Sequence, residues 1–222
     1  EHGDLGTLDV TALWNKDEEQ IDIDGMCDDG TGKLKIDGFV SPSKYSIDLK
    51  MQLHKTAMGY LNTFTSNVLK DIEGRADGHL NVIGPLNAIQ LVGAVKAKAT
   101  FSVPILNTQY RLSDEDSVYF VPNDIQFRNT KVYDMENNMA VVNGGVHHKT
   151  LGQFTFDFDI NTEKLLCFDK KDFGDDSFFG TIYASGNTKI HNIRGETDID
   201  GNMTPLPGSS FVYNASRENY IN

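Results

Sequence analysis

Basic residues are scarce in this chain. Its 222 residues carry 20 Lys and Arg against 32 Asp and Glu, a formal charge of −12. Affinity for a phosphate backbone comes largely from Lys and Arg releasing condensed counterions, so this balance excludes nucleic acid as a partner class. It also excludes docking on an anionic lipid surface through a basic patch. Cysteine is nearly absent: Cys27 and Cys167 stand alone. Two cysteines make no disulfide framework, and without paired ligand spacing they make no zinc site, so both are read as free thiols. No apolar run approaches the ~20 residues of a membrane helix. The chain opens on Glu1-His2-Gly3 with no targeting segment, and is read as a processed chain or a piece of a longer protein.

Catalytic signatures are missing too. There is no nucleophile elbow, no phosphate-cradling glycine loop ahead of a helix, and no Cys/His dyad spacing. The expectation is a protein that is not an enzyme and needs no cofactor.

What the sequence does have is alternation. Tyr45, Ile47, Leu49, Met51 and Leu53 interleave with polar residues, as do Val95, Ala97, Ala99, Phe101 and Val103, and Phe154, Phe156, Phe158 and Ile160. A period of two puts all the apolar side chains of a strand on one face and its polar ones on the other. These segments are half-buried strands of an antiparallel sheet. Shorter pieces repeat the pattern at 34–36, 80–82, 125–127 and 197–200. Turn signals at 28–32 (DDGTG), 76–78 (ADG), 142–145 (VNGG) and 200–201 (DG) predict roughly a dozen strands in a meander. A single all-β domain over 1–222 is expected.

One segment changes period. Met58, Leu61, Phe64 or Thr65, Val68 and Ile72 recur at three-to-four spacing, which predicts a short amphipathic helix over about 57–71, ended by Gly74, between an N-terminal strand set and the main sheet. Its expected job is to cover part of the sheet's apolar face, with a functional lid as the sharper alternative.

Several clusters invite chemistry and are better explained without it. Asp22, Asp24, Asp28 and Asp29 resemble a calcium loop, but Met26 and Lys33 occupy ligand positions of that loop, so a hairpin turn is expected. His147 and His148 are adjacent and point to opposite faces of a strand, which prevents joint chelation. His79 and His191 have no evident ligand partners. Asp114-Glu115-Asp116 and Asp172/Asp175/Asp176 sit in loop-like stretches and read as solvated charge.

With the strands laid out, three runs carry a family resemblance. They are VLKDIEGRADGHLNVIGPLNAIQLVGAVKAKATFSVPILNTQYRL (68–112), IQFRNTKVYDMENNMAVVNGGVHHKTLGQFTFDFDI (125–160) and DDSFFGTIYASGNTKIHNIRGETDI (175–199), together a little under half of the chain. The ordered series of Gly74, Gly78, Gly84-Pro85 and Gly93, then LNTQY at 106–110, GGVHH at 144–148 and the final FxG…G…I.G pattern resembles the C-terminal region of the TamB family, the inner-membrane-anchored component of the translocation and assembly module. The resemblance implies an elongated, curved, open antiparallel sheet (a β-taco or half-barrel) with a hydrophobic groove, similar to AsmA-like bridge lipid carriers. It implies a place in the periplasm of a Gram-negative envelope, with the parent protein anchored in the inner membrane by a segment outside this sequence. It further implies a role in outer-membrane biogenesis, through phospholipid transport between membranes or outer-membrane protein assembly and secretion, beside a TamA-type outer-membrane barrel partner. No catalytic residue comes with it.

The occupants expected of such a groove are phospholipid acyl chains or hydrophobic segments. Leu49, Met51, Leu53, Val95, Phe101, Phe154, Phe156 and Phe158 are the candidate lining residues. The same alternation also suits a closed sandwich with an ordinary packed core. A secreted carbohydrate- or protein-binding β-sandwich, using Trp14 or tyrosines as platforms, is therefore the alternative function.

Overall fold

In the computed structural model, residues 6–65, 69–150, 152–174, 176–193 and 196–215 are described. Fourteen strands follow one another: β1 (Thr7–Asn15), β2 (Gln20–Asp28), β3 (Lys33–Ser41), β4 (Ser46–Ala57), β5 (Lys70–Pro85), β6 (Gln90–Val103) and β7 (Thr108–Leu112). Then come β8 (Ser117–Val121), β9 (Asp124–Asp134), β10 (Met139–Lys149), β11 (Gly152–Lys170), β12 (Phe178–Ile193), β13 (Glu196–Pro205) and β14 (Ser210–Tyr213). All belong to one sheet, and every pairing is antiparallel. The expected meander is present, because strands joined by short turns pair with their sequence neighbours.

The fourteen strands fill twelve positions. Between β6 and β9 one position is shared: β7 pairs with residues 99–103 of β6 and β8 with residues 93–96, in line with each other. At the far edge β13 and β14 share the side of β12 in the same way. The path runs from β1 to β13, and among the described residues these two end strands do not pair with each other.

Among the described residues, the helix expected over about 57–71 is reduced to a single turn. β4 runs on to Ala57, Gly59–Leu61 makes a 3-10 turn, Asn62–Thr65 makes one α turn, and β5 has begun by Lys70. Residues 66–68 lie outside the described residues. Strand pairing wins because Thr56 and Ala57 find partners in Ala76 and Arg75, while the Thr56 hydroxyl donates to the Lys33 carbonyl. Asn62 then holds the turn down: its amide nitrogen donates to the Gly59 and Ile72 carbonyls, and the Ile72 N–H donates to its oxygen. Gly74 ends no helix; it sits inside β5.

Three of the four predicted turns are also strand interior. Residues 76–78 lie in β5, 142–145 in β10 and 200–201 in β13, so the strands are longer than the glycine signals suggest. Gly78 and Gly93 show why glycine is needed there. Their φ angles are +149° and +147°, and a Cβ would stand 2.3 Å and 2.2 Å from the carbonyl oxygens of Ala94 and His79 on the neighbouring strand. Only a residue without a side chain takes that conformation at that approach. The DDGTG segment is a true turn, closed by the Asp28 carboxylate accepting from Gly30 N–H and the Asp29 carboxylate from Thr31 and Gly32 N–H.

Two core clusters lie on the apolar face. One gathers Ala76, Leu80, Val95 and Ala97 under Met51, Leu53 and Phe120. The other gathers Tyr110, Ala140 and Leu165 with Phe101, Val132 and Ile160. It forms where β11 outruns its partner β10: beyond the Ala140–Thr162 pair, the strand bends over the β9–β10 turn toward β7. The Tyr110 hydroxyl donates to the Leu166 carbonyl at 2.8 Å, and the Leu166 N–H donates to Asp134 at 2.8 Å.

Candidate functional site: an apolar face from edge to edge

Directly paired residues on adjacent antiparallel strands point to the same side of a sheet. The register therefore identifies each face. One cross-strand row begins Leu8, Cys27, Leu34, Leu53, Gly78, Val95. It continues Val118, Phe127, Gly144, Phe158, Ile190, Ile199, reaching the opposite edge. All twelve positions are crossed without a polar side chain. A parallel row runs Val10, Gly25, Ile36, Met51, Leu80 and then Gly93, Phe120, Ile125, Val146, Phe156. At ~4.8 Å between strands, the path from edge to edge is roughly 50 Å.

The row one residue over lies on the other face and has the opposite chemistry: Asp9, Met26, Lys35, Gln52, His79, Ala94, then Tyr119, Gln126, Gly145, Asp157, His191, Asp198. Here charges pair laterally. His147 sits between Asp124 and Asp157 at 3.0 and 3.1 Å, and Lys131 meets Glu115 at 2.9 Å. Arg111 and Arg128 stack over Tyr133 and Tyr119, each at 4.4 Å. A concavity of about 800 Å³ also opens on this side, lined in part by Asn161, Asn187 and Asn202. Its central amide is already engaged: Asn187 Nδ2 donates to Asp159 at 2.5 Å and to Asn161 at 3.0 Å.

The structure places the eight candidate residues unequally. Leu49, Met51 and Leu53 lie together on β4, half-buried, in register with the glycine-kinked β5. Phe156 and Phe158 are half-buried on β11, 6.0 Å apart and stacked, and Phe158 meets Phe127 edge-on at 5.6 Å. Phe154, beyond the paired rows and next to His148, is largely exposed. Val95 is buried among its neighbours, and Phe101 packs beside Tyr110 at 6.1 Å. Val95 is a buried member of the first core cluster, and Phe101, half-buried, packs against the second as Met51 and Leu53 pack against the first.

Sequence reasoning named Trp14 only as a platform of the alternative function and did not single out Leu8, Val10 or Ile199 at the ends of this surface. Leu8, Val10 and Trp14 on β1 are on the same face and are 60%, 50% and 54% exposed, and Ile199 on β13 is 58% exposed. The signal was present, since L-D-V-T-A-L-W alternates like the longer strands.

Asp134 is the apparent exception on the apolar face, where it pairs with Tyr110. It is fully buried, and its carboxylate accepts from the backbone N–H groups of Glu136, Asn138 and Leu166 and from the Asn138 side chain, all at 2.8–2.9 Å. Four donors leave its charge compensated, so it fastens β11 to the β9–β10 turn. Burial pushes the Tyr110 hydroxyl's pKa well up, so it stays a donor.

The two cysteines are free, Cys27 buried within the first apolar row and Cys167 half-buried beside the Tyr110 cluster. Burial raises both thiol pKa values, which keeps them protonated and unreactive. Among the described residues no three His, Cys, Asp or Glu gather as a metal-binding group. Asp116 accepts from Lys131 N–H and Asp172 from Gly174 N–H, ordinary loop contacts. All described strands form one hydrogen-bonded sheet. The chain matches no family model, and no curated protein or solved structure is significantly similar to it.

Proposed function

We propose that this chain is a non-enzymatic carrier module whose apolar face holds acyl chains or hydrophobic protein segments while the polar face stays in water. The observation that carries the reading is the apolar row from Leu8 to Ile199, which crosses one sheet from edge to edge and is open at both ends, where Leu8 is 60% and Ile199 58% exposed. Large exposed apolar side chains on a soluble protein mark interaction surfaces when they are contiguous, and Leu8, Val10 and Trp14 stand together on the apolar side of β1. Each methylene removed from water contributes about 0.8 kcal/mol, so a sixteen-carbon chain crossing water bare meets a barrier on the order of 10 kcal/mol. A continuous apolar strip keeps that cost level along the path, and sliding then needs no tight site.

Kinks such as Gly78 and Gly93 supply the means for curvature, since strand-interior glycines are where sheets bend. A curved, trough-like sheet is accordingly part of the proposal. With no Lys or Arg in either apolar row, lipid is held by its tails and not by its headgroup. The resemblance to the TamB family extends the reading to the periplasm of a Gram-negative envelope: outer-membrane biogenesis by phospholipid transport or outer-membrane protein assembly, beside a TamA-type barrel, with the parent protein anchored in the inner membrane.

Neighbouring residues on one strand provide the test. A photo-cross-linking side chain at Leu49 or Phe156 should capture phospholipid, and one at Lys50 or Asp157, one residue away on the opposite face, should not. Phe156→Asp should abolish capture while leaving the far-UV circular dichroism unchanged. Equal capture from both faces, or none from either, overturns the reading; global unfolding of Phe156→Asp would place that ring in a sealed core instead.

A further inference from the structure

We propose that β1 is a homotypic pairing edge, through which two copies of this chain join by antiparallel β1–β1 hydrogen bonding in the register centred on Thr11. The inference is independent of what the apolar face carries.

The two edges of the sheet are built differently. The β13–β14 edge is defended: Glu196, Asp198 and Asp200 alternate along it, and it breaks at 206–209 between two strand segments. Pro205 precedes that break and Pro207 lies in it, and Ser209 Oγ donates to the Tyr183 carbonyl and accepts from its N–H, so the ladder offered to a newcomer is interrupted. Acidic residues, proline and broken strands are how native sheets discourage edge-to-edge growth.

β1 has one acidic residue and neither of the other devices. It is nine residues long, pairs with β2 through nine consecutive residues without a register shift, and contains no proline, glycine, lysine or arginine. Its only charge is Asp9. Among the described residues its other side pairs with nothing, and an edge this long and regular is a template for another strand. Its side chains are exposed on both faces, Leu8 and Trp14 on the apolar side and Leu13, at 65%, on the polar side.

The sequence of β1 specifies the occupant. Apolar residues stand at 8, 10, 12 and 14, symmetric about Thr11. An antiparallel copy centred there puts Leu8 opposite Trp14 of the second copy and Val10 opposite Ala12 of the second copy, all on the apolar face. Asp9 falls opposite Leu13 of the second copy, and the two Asp9 carboxylates lie four residues apart along the seam, roughly 13 Å, beyond the Debye length at physiological salt. A head-to-tail contact of β1 on β13 would instead meet the acidic, broken edge. It would also grow without limit, accumulating −12 per copy, whereas a twofold contact closes. Antiparallel pairing keeps matched side chains on one side, so the dimer joins both apolar faces into a single surface of twice the width.

The test uses the whole chain carrying Cys27→Ser and Cys167→Ser. Sedimentation should give a concentration-dependent monomer–dimer equilibrium, and mild oxidation of Thr11→Cys should trap a dimer and nothing larger. Asp9→Cys alone should not cross-link, while a mixture of Asp9→Cys and Leu13→Cys chains should. Thr11→Lys, which sets two ammonium groups face to face at an exposed position, should yield monomer with unchanged circular dichroism; Asp200→Lys should leave the dimer intact. A chain monomeric at all concentrations, a Thr11→Lys variant that still dimerises, or a ladder of higher oligomers would each overturn the proposal.

Discussion

Tyr110 and Ile199 occupy the same face of the same sheet and follow the same alternating pattern, yet Tyr110 is 6% exposed and Ile199 58%. The difference is the return of β11. Where that strand bends over the β9–β10 turn, its residues cover Tyr110 and Ala140, and Asp134 locks the bend through the Leu166 N–H. At β13 nothing comes back over the sheet among the described residues. Alternation decides which side chains share a face, and burial is decided by what the chain does many residues later. Only the second of these separates core from binding surface.

The comparison can be broken hardest at its lock. Asp134→Ala leaves three part-buried backbone N–H groups without the fully buried carboxylate that accepts from them, and the expected loss is about 2–4 kcal/mol of unfolding free energy, measured by urea titration. If this variant loses less than about 1 kcal/mol, the β11 bend is held by packing alone. The next test sets the two regions side by side. Leu165→Ala, in the covered cluster, should cost about 2–4 kcal/mol, and Ile199→Ala, at the open end, should stay within about 0.5 kcal/mol. Equal costs would mean that the open end is buried in solution.

Gly93→Ala should cost about 1–3 kcal/mol, because a Cβ at φ +147° meets the His79 carbonyl; a neutral substitution would show that β5 and β6 can part there. The smallest expected effect is acid-linked. Hydrogen bonds from Gly32 and Thr31 N–H, then the Arg75 guanidinium, hold Asp29 below its ordinary 3.8, and the Gly30 N–H does the same for Asp28. A carboxyl depressed in the folded state contributes stability that is present above the unfolded value and lost as pH falls through the folded one. Thermal melts should therefore decline below about pH 3.8, and Asp29→Asn should flatten that slope.

Much of the architecture was legible because period two is a local property. Leu49-Lys50-Met51 and Phe156-Asp157-Phe158 need no tertiary context to place their apolar members on one side. The helix over 57–71 was misread because three-to-four spacing also arises when a strand end, a turn and the next strand follow one another; Thr56 and Ala57 had ladder partners that no local window contains. The glycines of ADG and VNGG were misread as turns for a related reason. Glycine marks any place where φ turns positive, and here it is the closeness of the next strand that requires it.

By itself the sequence determined the fold class, the antiparallel meander and the two-faced chemistry, all of which follow from side-chain order along a strand. Tertiary structure alone decided which candidate became core, as Val95 did, and which remained half-open, as Leu49, Phe101 and Phe156 did. It also decided that one row, from Leu8 to Ile199, lines up through twelve positions without a polar interruption. Register and overlap depend on residues far apart in the chain, and their pairing free energy exists only once the strands have met.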